Sequence, residues 1–350
     1  MKIEWQDFLK DAGAEFLNEK VESFGNPSQE RQIIHSGNTF CDLSHYGLIA
    51  AYGEDTVNFL QGQFTNDVAQ ITETHSQLSS YCTPKGRMLA NFRIFKRGET
   101  LYLSLPQPLL EPVLNRLRMF VMRSKVTLED ASDALMRFGF NGPDADKQLK
   151  AITGSIPENV NDSIQNNDYS IVRTHGTNPR FEIYGQLEAI KKLWQALDVN
   201  ATAVGSHIWE LLNIRAGIPV IVSDTCEAFV PQMANMGLID GINFKKGCYT
   251  GQEIVARMHY LGKLKKQMYR ISVETTEAPK AGDKIFAENS TAGTGTGVVV
   301  SAEMNADGVY EALAVIQIAD AERQVLRLGD AEGAVVEILE LPYGFATGES

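Results

Sequence analysis

No stretch of the chain approaches the roughly 18 consecutive apolar positions that a membrane-spanning helix needs. The amino terminus, Met1-Lys2-Ile3-Glu4-Trp5-Gln6-Asp7, carries acids and polar residues where a secretory signal needs an apolar core. These absences predict a protein that is neither exported nor anchored and that has no membrane partner. Cysteine is scarce: Cys41, Cys82, Cys226 and Cys248 lie far apart with no CxxC pair. That argues against a disulfide framework or a self-contained zinc or iron–sulfur site, so no metal site is expected, and it fits a reducing cytoplasm. Cys41, Cys82 and Cys226 read as small core residues. Tandem repeats, low-complexity tracts and long linkers are also missing, so the domains of this 350-residue chain should pack tightly.

Positive charge is in deficit, with a net charge of −12, but it is unevenly spread. Sixteen of the 32 basic residues fall in three stretches, 85–97, 112–125 and 245–270, against the single acid Glu253. Each stretch taken alone reads as a solvated face; converging in space, they would make a basic mouth for a polyanion.

Residues 1–30 read as one amphipathic helix carrying Trp5, Phe8, Leu9, Phe16 and Leu17, stopped by Gly25-Asn26-Pro27. Asp55 is placed to cap a helix bearing Val57, Phe59 and Leu60. Residues 78–105 read as hairpins turning at Arg97-Gly98-Glu99, and Pro108 opens a helix with Leu110, Leu114 and Leu117 on its apolar face. Short strands are expected over 126–184, then helices over 187–198 and 207–215, the second ending at Gly217. From 267 to 343 the pattern is nearly all strand, as in a small antiparallel barrel. Thr294-Gly295-Thr296-Gly297 lacks the spacing and lysine of a phosphate loop and reads as a barrel turn.

The richest segment is 242–257. Gly247 and Gly251 flank Cys248, and Gln252 opens a run of helix formers. Cys248 would then stand just ahead of a helix amino terminus, whose free N–H groups, with Lys245 and Lys246, favour a thiolate. His259, eleven residues on, reads as a surface histidine on a basic segment.

Lys-Lys-Gly-Cys-Tyr-Thr-Gly-Gln-Glu, residues 245–253, resembles the signature of the YgfZ family of folate-binding proteins, a branch of the glycine-cleavage T-protein (aminomethyltransferase) superfamily. Five further segments match in order: Phe59-Leu60-Gln61-Gly62-Gln63-Phe64-Thr65-Asn66-Asp67-Val68, Lys85-Gly86-Arg87, Ile214-Arg215-Ala216-Gly217-Ile218-Pro219-Val220, Phe229-Val230-Pro231-Gln232 and Leu341-Pro342-Tyr343. The resemblance implies an α+β three-domain cloverleaf: two discontinuous α+β domains, 1–45 with 122–205 and 46–121 with 206–258, plus a carboxy-terminal antiparallel β-barrel, 259–350. It implies tetrahydrofolate or another folate as ligand, and a role in assembling or repairing iron–sulfur enzymes, with clients such as a tRNA methylthiotransferase.

By the same resemblance, Trp209 and Tyr46 are the aromatic positions of the folate pocket, Tyr46 standing where close relatives carry tryptophan. Lys85, Arg87, Lys245, Lys246 and Arg257 would meet the folate tail or an acidic partner, and direct tRNA contact ranks last given the net charge. Cys248 is the expected functional thiol. Two departures matter. Met88-Leu89-Ala90-Asn91-Phe92 lacks the carboxylate that aminomethyl transfer needs, which speaks against a folate-dependent one-carbon transferase or demethylase. Arg215 stands where many relatives have glutamate, and is expected to pair with Glu210 or with a folate tail. A cysteine-nucleophile enzyme using Cys248 with His259 or Glu253, and a docking scaffold working through its basic face, are the other rivals.

Overall fold

The computed structural model of the protein describes residues 1–260, 262–288 and 295–345. The chain forms two compact units: Met1–Gln61, Asp67–Leu78 and Phe92–Trp209 make the first, and Gly62–Asn66, Ser79–Asn91 and Glu210–Ser350 make the second.

The first unit is built on a six-stranded sheet. Its spatial order is Ser163–Gln165, Tyr169–Arg173, Arg180–Gly185, Met136–Asn141, Thr39–Asp42 and Thr202–Ala203. Side chains alternate across each strand, so neighbouring residues serve opposite faces. Phe138, Phe140, Ile171, Phe181 and Ile183 point to one face, where the helices Ile3–Asp11 and Leu187–Leu197 bring Trp5, Leu9, Ile190 and Trp194. The aromatic rings meet edge to face there, with Phe40 and Trp194 centroids 4.6 Å apart at 89°. On the opposite face, Val172 and Tyr184 pack against Leu48, Ala50 and Phe95 from strands Tyr46–Tyr52 and Met88–Arg97.

That second interior layer is not purely apolar. Arg93 is 3% exposed and reaches across it. Its Nη1 donates to Ser76 and Asn161, its Nη2 donates to Thr174, and its Nε lies 3.3 Å from the Glu182 carboxylate. A buried charge is tolerated when it is paired, and Arg93 has Glu182 as its counter-charge and three hydrogen bonds from its terminal nitrogens, while its Nε makes no hydrogen bond among the described residues. Far from solvating a face, this member of the 85–97 basic stretch is an interior group.

The second unit carries a closed barrel of six antiparallel strands, in order Lys266–Val273, Tyr310–Gln317, Gly297–Met304, Lys284–Ala287, Leu326–Leu328 and Val335–Leu339. Ile271, Val273, Ile285, Val299, Ala312, Ala314 and Ile316 fill it. The expected all-strand tail is therefore a barrel. Gly297 pairs with Ile285 at its strand's start, and Thr294 of the Thr-Gly-Thr-Gly run lies outside the described residues.

Two local expectations give way. The amino-terminal helix stops at Asp11, where Ala14 N–H folds back to Leu9 O and Gly13 takes φ +95°. Phe16 lies instead in Glu15–Leu17, paired with Lys20–Ser23 through a turn in which Asn18 and Glu19 both have positive φ. The tripeptide read as a stop also starts a helix: the Asn26 side chain accepts from Gln29 N–H, and Pro27 opens Pro27–Ile33. In the region read as strands only, Ala145–Thr153 is a helix burying Ala145 and Leu149 one turn apart. Its otherwise polar composition hid that spacing.

Candidate functional site

The segment around Cys248 is held by backbone supplied from elsewhere in the second unit. Residues 62–66 form a docking edge for it. Thr65 Oγ1 donates to Gly241 O at 2.8 Å, Asn66 Nδ2 donates to Asp240 O at 2.6 Å, and Asn243 N–H donates to Thr65 O. Lys246 is buried; its ammonium donates to Phe64 O at 2.6 Å and Asn66 O at 2.8 Å and lies 5.1 Å from the Tyr249 ring centre. Thr250 N–H donates to Gly62 O. The Gly62-Gln63-Phe64-Thr65-Asn66 portion of one sequence motif thus anchors the Lys246-to-Thr250 portion of another, a relation that sequence order does not reveal.

Between these anchors the chain turns outward. Lys246 and Tyr249 are buried, whereas Cys248 is exposed. Burial, and then the neighbouring Cys82, push the Tyr249 phenol up, so it stays neutral. Burial pushes the Cys82 thiol up to about 12, which makes it an inert core group. Cys41 is also buried, while Cys226 is only half-buried and its thiol faces Leu89 O at 3.6 Å, so one of the three expected core cysteines reaches the surface layer. Cys248 is the exposed one of the four.

The helix Gln252–Tyr260 begins four residues after Cys248. Its start packs against the turn at Lys85-Gly86-Arg87. Gly86 and Gly251 take φ +70° and +85°, and a Cβ on Gly86 would stand 3.0 Å from Ile254 Cβ. Only glycine permits both that backbone form and that approach. Two motifs far apart in sequence therefore meet back to back.

Of the basic residues expected to line this region, Lys85, Lys245 and Arg257 are exposed. Lys246 carries the internal bonds just described, and Arg87 donates to Ala228 O at 2.7 Å. His259 stacks on Phe244, with ring centres 3.7 Å apart at 9°. Arg215 has an internal partner in the second unit. It grips Glu311 on a barrel strand at 2.8 Å, and Arg270 holds the same carboxylate at 2.7 Å. Burial alone would raise the Glu311 carboxyl, but the two guanidinium groups outweigh it and hold it below the usual range. Asn91, where a transferase would need an acid nearby, is a structural clip. Its Nδ2 donates to Pro219 O at 2.7 Å and its Oδ1 accepts from Ile221 N–H at 2.9 Å.

Trp209 and Tyr46 belong to the first unit. Trp209 is 2% exposed, and its ring lies against Gly139, where any Cβ would overlap it. The Arg180 guanidinium lies over the same ring at 3.6 Å, and its Nη2 donates to Trp209 O. Gly139 pairs with Glu182 and Asn141 with Arg180 across adjacent strands, so all four share one sheet face. Burial, then Arg93 and Arg180, lower nearby His175 to about 4. Tyr46 sits at the start of strand Tyr46–Tyr52, which pairs with Thr100–Pro106; its carbonyl accepts from Arg137 and its ring lies 4.6 Å from that of His45. Arg180, Glu182 and Asn141 escaped the sequence reading because nothing in a strand pattern marks which polar residue faces inward. The signal available was their polarity at alternate positions of otherwise apolar strands.

Comparison with known proteins completes the picture. Residues 13–246 match the family described as the GCVT N-terminal domain. The chain is 32% identical over 305 residues to the tRNA-modifying protein YgfZ of Yersinia enterocolitica, covering 87% of this chain and 92% of the relative. It is equally identical over 308 residues to the protein of that name from Photorhabdus laumondii, with 87% and 92% coverage. The crystal structure of glycine cleavage system aminomethyltransferase T from Bartonella henselae superposes with a TM-score of 0.78 over 96% of both chains, at 18% identity, and so shares the fold. The α+β architecture with its terminal barrel, the ordered motifs and these relatives agree: the chain belongs to the YgfZ family of tRNA-modifying proteins.

Proposed function

We propose that this is a cytoplasmic, folate-binding accessory protein that supports the assembly or repair of iron–sulfur enzymes, and through them tRNA methylthiolation, with Cys248 as its key thiol. In this reading the chain has the three-domain organisation of the family, 1–45 with 122–205, 46–121 with 206–258, and 259–350. The observation that carries it is the presentation of Cys248: buried anchors at Lys246 and Tyr249 hold an exposed thiol between them. A thiolate there supplies one ligand of the usual four to a cluster shared with a client, the rest coming from the client. The clip formed by Asn91 supports an accessory role over one-carbon transfer, since that position holds no proton acceptor of carboxylate strength.

The residues around Trp209 fit a folate. Asn141 Nδ2 is a buried donor without a hydrogen-bond partner among the described residues. Such an orphan costs about 1–3 kcal/mol, which a ligand acceptor would relieve. Glu182, held by Arg93 and by the Tyr184 hydroxyl at 2.7 Å, offers an acceptor for the amino edge of a pterin. Tyr46 supplies aromatic surface, and Trp209, buried beneath the Arg180 guanidinium, would meet the ligand only if that guanidinium shifts. Lys85, Lys245 and Arg257, which stay exposed, serve the anionic contacts of a folate tail or an acidic client.

Two experiments test this. Cys248→Ser, introduced into a deletion strain, should fold normally yet leave cluster-enzyme activity at the level of the deletion; full rescue would refute the role of the thiol. Titration with tetrahydrofolate should quench tryptophan emission saturably at micromolar ligand, with the effect lost in Trp209→Phe. It should also stabilise the protein by about 2.7 kcal/mol at a hundredfold excess over Kd. No quenching and no thermal shift would remove folate from the account.

A further inference from the structure

The exposed end of the helix Gln252–Tyr260 carries a surface that the folate and thiol chemistry does not use. Phe244 and His259 stack nearly parallel at 3.7 Å. Tyr260 closes the group edge-on, 4.7 Å from His259 and 6.3 Å from Phe244. His259 is exposed and Tyr260 is 64% exposed, a large aromatic area left to solvent on a helix end. Lys263 and Lys265 follow these rings in the chain, both exposed, and no carboxylate pairs with either among the described residues. In a chain of net charge −12, the stretch 245–270 holds seven basic residues against Glu253 alone.

We propose that this face is a stacking platform for an unpaired RNA segment. Two features select that occupant. Preassembled rings offer a flat surface on which bases stack, at little entropic cost because Phe244 already holds His259 in place. Flanking cations without internal partners are free to neutralise phosphates and release their counterions. An acidic protein would use the cations but has no need of exposed, mutually stacked rings. Double-stranded RNA would use the cations as well, but keeps its bases inside the duplex. The inference goes beyond the accessory role proposed above, placing this chain in direct contact with nucleic acid, and it holds or fails independently of folate binding and of Cys248.

The test is fluorescence anisotropy of a labelled, unstructured single-stranded RNA of about 15 nucleotides, titrated with the full-length protein at several salt concentrations. Saturable binding is expected. His259→Ala with Tyr260→Ala should weaken it about tenfold or more while thermal melting stays unchanged. Lys263→Ala should weaken it and lower the salt slope by about 0.7. Three outcomes would each overturn the proposal. They are no saturable binding at 0.1 M salt, an unchanged affinity in the aromatic double variant, and displacement of the RNA by polyglutamate at equal charge, which would give the face to an acidic protein.

Discussion

Arg93 shows how little a residue's type says about its work. In the sequence it stands in a basic stretch with Lys85, Arg87, Lys96 and Arg97, yet it is buried, hydrogen-bonded to Ser76, Asn161 and Thr174 and ion-paired with Glu182. Removing one partner of a buried ion pair leaves the other charge uncompensated, at a cost of about 3–5 kcal/mol. Arg93→Leu should therefore lower stability by that amount in urea unfolding, whereas Lys85→Ala, at an exposed position, should change it by less than about 0.5 kcal/mol. Equal effects would mean that the interior network carries no special weight. Lys246 teaches the same lesson, because its ammonium is committed to Phe64 O and Asn66 O before any ligand arrives. Cys248 is the contrary case. Its flanking glycines and following helix were legible, and the exposed thiol lies where that pattern put it, ahead of Gln252–Tyr260.

At the scale of elements, the helix Ser206–Arg215 and two barrel strands are tied by one carboxylate. Glu311 accepts from both Arg215 and Arg270, and Asn305 adds a third bond. Because its folded-state pKa lies below the unfolded value, Glu311 contributes stability that is complete above about pH 4.3 and is lost as pH falls through the lower, folded value. Glu311→Gln should be less stable than the parent at pH 7, and the gap should close on acidification below pH 4. A gap that persists unchanged to pH 3 in denaturant titrations would show that packing, not charge, makes the link. The sequence put Arg215 on a helix end and Glu311 on a strand, but their 96-residue separation gave no reason to join them. Helix periodicity and strand alternation speak only for neighbours.

For the molecule as a whole, acid should act earlier than the carboxylates alone would require. Burial lowers His175 to about 4, helped by Arg93 and Arg180, and burial with Arg31 lowers His207 to about 4. Well above pH 6.5 neither the folded nor the unfolded form binds the proton, so these groups contribute nothing there. As pH falls from 6.5 toward 4, the unfolded chain takes up protons that the folded chain refuses, and stability drops by roughly 2 kcal/mol per histidine between pH 7 and 5. His175→Gln should flatten that part of the stability–pH curve by about this amount. A curve parallel to the parent's would mean that His175 titrates normally when folded.

What the sequence determined by itself was everything carried by short range or by a run of marked residues: the barrel from its alternating strands, the helices over 187–198 and 207–215 to within a residue, the Cys248 turn, and the family through six ordered motifs. What only the tertiary structure decided was partnership. It brought Gly62–Asn66 under Lys246, Gly86 against Gly251 and Arg180 onto Trp209, and it turned Arg93 inward and Tyr260 outward. The physical reason is the same throughout. Periodicity and turn chemistry are set by residues a few positions apart, whereas the burial or exposure of a charge depends on which distant strand supplies its counter-group, and no local pattern records that.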